Sequence, residues 1–343
     1  MNVSAETVLP SPGWLRSLSF DVKFIVGITA LALFSGGLAV LEPDLFHWIL
    51  LLDLTLLGYT HVISTYTRLC FEQQSFRENR FLVIWLPLIV LGAVVLLAFG
   101  IGLWVLASIY LYWQWFHYAR QSWGVSQVYR RKSGGQVNGN LLLNQVIFYL
   151  LPLWGILYRS YQDPGRFLGL DLKVIPVPSI AVELAGLAAV LAFGWWLSSR
   201  IILWWRGRLP VAQTLYMFSH FGIFYVAYIA IEEINYGWLV INVWHNAQYI
   251  VFVWLFNNNR FKGLPDSRAR FLSYISQNGK GLVYFGVCCA LAALFYMTME
   301  LTLGALLPLI VIYQTINFHH YIVDSVIWKI RRKPLQKTLG ITP

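Results

Sequence analysis

Six of the seven histidines in the sequence, His61, His117, His220, His245, His319 and His320, fall inside long apolar stretches or at one end of them; only His47 stands apart. Imidazole is the commonest transition-metal ligand, and it needs a partner once it leaves water. The six come from five separate stretches, so a single centre requires those stretches to surround one cavity. Polar neighbours at helical spacing add to the pattern. Gln121 lies four residues after His117, Asn242 and Gln248 flank His245 at three residues on either side, and Asn317 and Asp324 stand three before and four after His320. A metal-bound histidine donates its other ring N–H to an amide, carboxylate or carbonyl, and these residues can supply such groups. For any one histidine the alternative is a helix cap or an interhelical hydrogen bond. Carboxylates are scarce in the same stretches: Asp53 is the one clearly intramembrane acid, and Asp324 stands at an edge. That scarcity favours a His-dominated Fe(II) centre, mononuclear or dinuclear, over a carboxylate-bridged pair, with Zn or Cu as the next choices. Asp53 lies eight residues before His61, about 12 Å along a helix axis. It reads as a partner to a ligand, a proton relay, or a carboxyl bonded to a neighbouring helix.

The elements that must position these groups follow from composition. Of 343 residues 58% are hydrophobic and 12% charged, which excludes a soluble globular chain. A helical span needs about 20 apolar residues to cross roughly 30 Å of hydrocarbon. Ten stretches qualify: 24–41, 45–63, 81–99, 101–118, 141–158, 179–197, 211–231, 236–256, 281–299 and 301–323. The expectation is an all-α polytopic membrane bundle forming one domain, with an amino-terminal segment at 1–23, the spans within 24–323 and a basic tail at 324–343. If the amino terminus is cytoplasmic, 22 of the 25 Lys and Arg residues are cytoplasmic too, and only Arg159, Arg166 and Lys173 face out, beside Glu42, Asp44, Asp163, Asp171, Glu232, Glu233 and Glu300. This positive-inside pattern puts both termini in the cytoplasm and suits the inner membrane of a bacterium. The net charge of +10 therefore reports orientation, not a nucleic-acid partner. On this map His61, His117, His319 and His320 lie within about one turn of the cytoplasmic boundary, and His220 and His245 about 15 Å in. The longest connections are 120–140 and 257–280 inside and 159–178 outside. Cys70, Cys288 and Cys289 form neither a C-x-x-C pair nor a disulfide framework, and there is no phosphate-binding loop, nucleophile elbow or internal repeat.

The segments Gly58-Tyr-Thr-His61, Trp115-Phe-His117-Tyr-Ala-Arg-Gln121, Trp244-His245-Asn-Ala-Gln248 and Asn317-Phe-His319-His320-Tyr321 resemble the His-bearing helices of integral-membrane non-heme iron oxygenases. The general likeness is to the Brp/Blh type of membrane β-carotene dioxygenase, and it covers the second to the tenth span loosely. A weaker likeness is to membrane fatty-acid desaturases and hydroxylases, whose repeated His boxes are absent here except for the His319-His320 pair. The resemblance implies an O₂-dependent enzyme acting on a carotenoid, another isoprenoid or an acyl chain. Such a hydrophobic substrate would enter from the bilayer, with a cytoplasmic electron donor where reductant is needed. Trp113, Trp115, Tyr118, Trp244 and Phe318 are candidates to line its cavity, packing between helices being the ordinary alternative. Two other classes fit part of the pattern: a proton- or cation-coupled transporter using Asp53 and the histidines, and a bis-His haem protein moving electrons.

Overall fold

The computed structural model describes residues 13–134, 141–263 and 265–341. Residues 1–12 of the amino-terminal segment, 135–140 of the connection expected at 120–140, and the last two residues of the tail lie outside them. Backbone in hydrocarbon must satisfy its polar groups internally, and the apolar stretches accordingly form helices: α1 (Leu18–Leu41), α2 (Pro43–Cys70), α3 (Phe81–Gly100), α4 (Leu103–Lys132), α5 (Leu141–Gln162), α6 (Ser179–Trp205), α7 (Val211–Tyr225, continued by a π-helical turn over Val226–Ala230), α8 (Ile234–Arg260), α9 (Gly281–Leu303) and α10 (Leu306–Ile327). Eight of these are long and apolar enough to cross a membrane. The other two are α4 and α7, which carry Gln114, His117, Arg120 and Gln121 and Gln213, Ser219 and His220. Among the described residues, length and composition alone thus identify eight candidate spans where the charge alternation expects ten.

The connections are shorter than expected. α4 runs on to Lys132 and absorbs most of the expected 120–140 connection, because Ser122, Trp123, Val125, Ser126, Val128 and Tyr129 are buried against the bundle. Tyr129 Oη donates to buried Asp21 (2.7 Å), which also accepts from the backbone N–H groups of Leu15, Arg16 and Ser17. That contact ties the start of α1 to the end of α4. α8 continues to Arg260, and a short helix at Arg270–Ile275 fills part of the next connection. Between α5 and α6 stands a small antiparallel hairpin, Arg166–Phe167 against Leu170–Asp171.

α8 is the pillar of the bundle. Within its apolar stretch 94% of residues are buried, against 17% in α3, so α8 meets protein on all sides while α3 leaves most of its surface to lipid. Its neighbours include α1, α2 and α7. Close approach to α1 depends on Gly36, where a Cβ would stand 2.1 Å from Val240 Cγ2. Helix α8 also carries buried Asn242, His245, Asn246 and Gln248, polar groups that a membrane helix keeps for the bundle interior. At the other end of the bundle the guanidinium of Arg159, 1% exposed, closes the end of α7: Nη1 donates to Glu232 O (2.6 Å) and Gln162 Oε1 (2.7 Å), and Nη2 to Ala227 O (2.8 Å) and Ile231 O.

Candidate metal centre

Four histidines from four helices meet beside α8: His61 of α2, His117 of α4, His245 of α8 itself and His320 of α10, all buried. Ring centroids are 4.7 Å apart for His61 and His320, 5.4 Å for His61 and His245, and 5.0 Å for His117 with both His245 and His320. Asp324, one turn beyond His320, places Oδ2 3.5 Å from His320 Nε2 and 3.9 Å from His117 Nε2. The potential ligand atoms of His61, His245 and His320 lie within 4.8 Å of one another, as do those of His117, His320 and Asp324. His320 belongs to both groups.

Hydrogen bonding around the rings decides which nitrogens are free to ligate. His61 Nδ1 lies 2.6 Å from the Gly58 carbonyl, which can only accept, so Nδ1 carries the proton and Nε2 the lone pair. For His320 the same follows from a chain. Tyr249 Oη donates to Asp324 Oδ1 (2.7 Å), so toward Thr65 Oγ1 (2.7 Å) it accepts; the Thr65 proton is then committed, and Thr65 accepts from His320 Nδ1 (3.0 Å). Trp328 Nε1 adds a second donor to Tyr249 Oη at 3.0 Å. The Nε2 lone pairs of His61 and His320 therefore face each other across 3.2 Å with no proton between them. Two nitrogens bound to one ion at 2.0–2.1 Å stand about 2.9 Å apart at an octahedral angle and about 3.4 Å at a tetrahedral one. Three further atoms, His117 Nε2, His245 Nε2 and Asp324 Oδ2, are buried without a hydrogen-bond partner. Unpartnered polar atoms in the interior are costly, and a divalent cation seated in either group of three would satisfy the ligand atoms of that group. An imidazole-rich set with one carboxylate in reach suits Fe(II), Zn or Cu.

Tyr249→Phe removes the hydroxyl that orders the chain to His320 and leaves the ligand atoms in place. Its expected effect is a fall in metal affinity of about 10- to 100-fold, measured by chelator competition, with the folded state retained.

The structure does not bring the other two candidate ligands to this cluster, and prolines explain both. Pro152 has no N–H for the Phe148 carbonyl four residues earlier, and His220 Nε2 donates to that carbonyl at 3.2 Å while Nδ1 accepts from Ser122 Oγ at 3.0 Å. Along the π-helical start of α3, Leu86 N bonds Phe81 O, so the next donor in the pattern would be Pro87; His319 Nε2 instead donates to Leu82 O (2.6 Å), and Nδ1 accepts from Tyr66 Oη (3.0 Å). Both rings are fully engaged in repairing a helix. Of the expected partners, Asp324 stands among the ligand atoms. Gln121 leaves Oε1 unpartnered, Gln248 accepts from Tyr216 Oη (3.2 Å), and Asn317 bonds back to Tyr313 O (3.0 Å). Asp53 accepts from Asn242, which accepts from Tyr118, whose ring centroid lies 4.3 Å from that of His245. Trp115 and Trp244 give their indole N–H groups to Pro152 O and Ser219 Oγ (both 2.8 Å), serving helix packing.

Thr65, Tyr249 and the Gly58 carbonyl were not anticipated. The signal was present: Thr65, Gln121, Tyr249 and Asp324 each follow one of the four clustered histidines by four residues, one helical turn on the same face. Tyr321 was also missed; its ring lies 28° from parallel to His117 at 4.4 Å.

A cavity of about 620 Å³, within the range of small-molecule sites, reaches the cluster at His117, Tyr249 and Asp324. Trp113 and Tyr321 form part of its wall, and Phe318 supports Trp113 by stacking at 5.2 Å. The arrangement puts the histidine cluster at one edge of this cavity. Comparison of the chain with models of known protein families, with curated proteins and with solved structures finds no match.

Proposed function

We propose that this protein is an integral-membrane, His-ligated Fe(II) oxygenase acting with O₂ on a lipid-soluble substrate such as a carotenoid, another isoprenoid or an acyl chain. The reading includes ten spans with both termini cytoplasmic, in a bacterial inner membrane, supported by the charge alternation. One observation carries it: four buried histidines on four helices gather in two overlapping groups of potential ligand atoms that share His320, and a cavity reaches them at His117 and Asp324. Iron bound at these residues would supply O₂ activation. The protein's own groups do the positioning. Thr65 and Tyr249 hold the His320 ring, Gly58 holds that of His61, and Trp113 and Tyr321 wall the cavity against water and orient an apolar chain. His61 and His320, with Nε2 atoms 3.2 Å apart, are not spaced as a pair on opposite faces of a haem, which supports the non-haem reading. Reductant, where the reaction needs it, would come from a cytoplasmic donor.

A second reading rests on the buried chain from Asp53 through Asn242 to Tyr118, which ends against His245 and could move protons. Metal-free protein with proton-coupled flux would favour that transporter.

The enzyme reading is tested with ¹⁸O₂. Iron-loaded protein in nanodiscs, supplied with a chemical reductant, is expected to label a product from at least one of β-carotene, squalene and an oleoyl lipid, and His117→Ala is expected to label none. Full iron occupancy without label from any of the three would contradict the reading.

A further inference from the structure

The cavity does not end at the cluster. Around His117 and Asp324 its wall includes the aromatic residues Trp113, Phe252, Tyr321 and Trp328, and it also touches Phe116 and Leu141, apolar residues that are 50% and 47% exposed. Arg120 stands less than one turn beyond His117, and toward the carboxyl ends of α4 and α10 the cavity is lined by Arg130, Arg131, Lys329 and Arg331. Among the described lining residues Asp324, at the base, is the one carboxylate. Arg131 lies 14 residues beyond His117 on one continuous helix, about 21 Å along its axis.

The positive-inside rule accounts for cations on this side of the bundle in general. It does not account for Arg131, Lys329 and Arg331 lining one cavity together. Several cations of the same side are matched within the protein, Arg130 of the cavity wall among them: Arg130 Nε donates to Gln127 Oε1 at 2.7 Å, Arg260 pairs with Glu72, Arg268 with Asp266 at 3.3 Å, and Arg68 donates to Ile327 O at 2.8 Å while lying 3.9 Å over the Trp328 ring. Like charges gathered at a half-buried mouth repel, and an anion placed among them relieves that repulsion with charge-assisted hydrogen bonds.

The geometry points to an amphipathic lipid with an anionic phosphate or carboxylate head group as the substrate class, its head held at Arg131 and Lys329 and its chain laid along the aromatic wall toward His117 and Asp324. This deepens the oxygenase reading and rests on it for the cluster's being the reacting centre. Anchoring the head makes the cavity a ruler, so the carbon presented to the cluster is set by its distance from the charge.

The test uses full-length protein in phosphatidylcholine nanodiscs, titrated calorimetrically with hexadecyl phosphate, hexadecanol and inorganic phosphate. Three forms are compared: wild type, Arg131→Gln with Lys329→Gln, and Arg206→Gln with Arg208→Gln, two exposed cations that do not line the cavity. Hexadecyl phosphate is expected to bind wild type about tenfold or more tighter than hexadecanol, and the first double variant to lose about that factor for the phosphate alone. The second double variant should match wild type. Equal affinity of wild type for phosphate and alcohol, or equal loss in both double variants, would overturn the proposal. So would inorganic phosphate binding as tightly as hexadecyl phosphate, which would mark a free-anion site. Iron content of the same samples separates the two readings: head-group preference without iron leaves the lipid inference standing and removes the oxygenase, and iron without preference does the reverse.

Discussion

His320→Ala is expected to lower iron affinity by about 100-fold or more, the largest loss of any single substitution in the cluster, because His320 belongs to both groups of converging ligand atoms. Loss of an outer partner alone costs 10- to 100-fold, and a shared ligand costs more. The informative partner is the adjacent residue. His319 carries the same side chain one position earlier on α10, yet both its ring nitrogens are bonded to Leu82 O and Tyr66 Oη. His319→Ala is therefore expected to keep its iron while losing stability, since the Leu82 carbonyl is left without a donor. Iron per chain, measured after anaerobic reconstitution at fixed free Fe(II), separates the pair. Because bound metal stabilises only the folded state, added Fe(II) should raise the melting temperature of His319→Ala and not that of His320→Ala. Equal iron loss in both would mean that the cluster is not where the metal binds.

Arg159→Ala is the substitution expected to damage stability most. One buried guanidinium serves three backbone carbonyls, those of Ala227, Ile231 and Glu232, at the point where α7 ends and α8 begins. Alanine would leave them without donors, and each buried unsatisfied polar group costs about 1–3 kcal/mol. The expected loss is on the order of 3 kcal/mol or more, read as a lower denaturant midpoint in detergent. The junction has little room to adjust: a Cβ at Gly237 would already lie 2.1 Å from Ala227 O and 2.8 Å from Arg159 Nη2. Iron binding per folded molecule should be unchanged, because Arg159 has no contact with the cluster. A variant as stable as wild type would show that water replaces the guanidinium.

How much of this was legible in the sequence differs from feature to feature. The apolar stretches announce helices because hydrocarbon admits little else, and their order and approximate bounds follow. The ends of α4 and α8 do not, since Ser122, Ser126, Asn257 and Asn258 look like loop residues until the packing that buries them is known. That error also separated His117 from His245 in depth: with α4 continuing to Lys132, His117 lies well inside its helix and level with His245. The six intramembrane histidines were legible as a set, but their division was not. Helix rotation decides which rings converge, and composition is silent about rotation. The roles of His220 and His319 follow from Pro152 and Pro87, both visible in the sequence, but the carbonyls these prolines release find their donors on other helices. The polar residues one turn after each clustered histidine were readable by spacing alone, and the two overlooked ones, Thr65 and Tyr249, are those that fix the proton on His320.

Elemental analysis of the purified, anaerobically reconstituted protein, taken together with its optical spectrum, bears on the whole account. Near-stoichiometric iron without a Soret band, abolished in His320→Ala and retained in His319→Ala, is the predicted result. Protein that takes up no metal under those conditions, or that shows a haem spectrum, would contradict it.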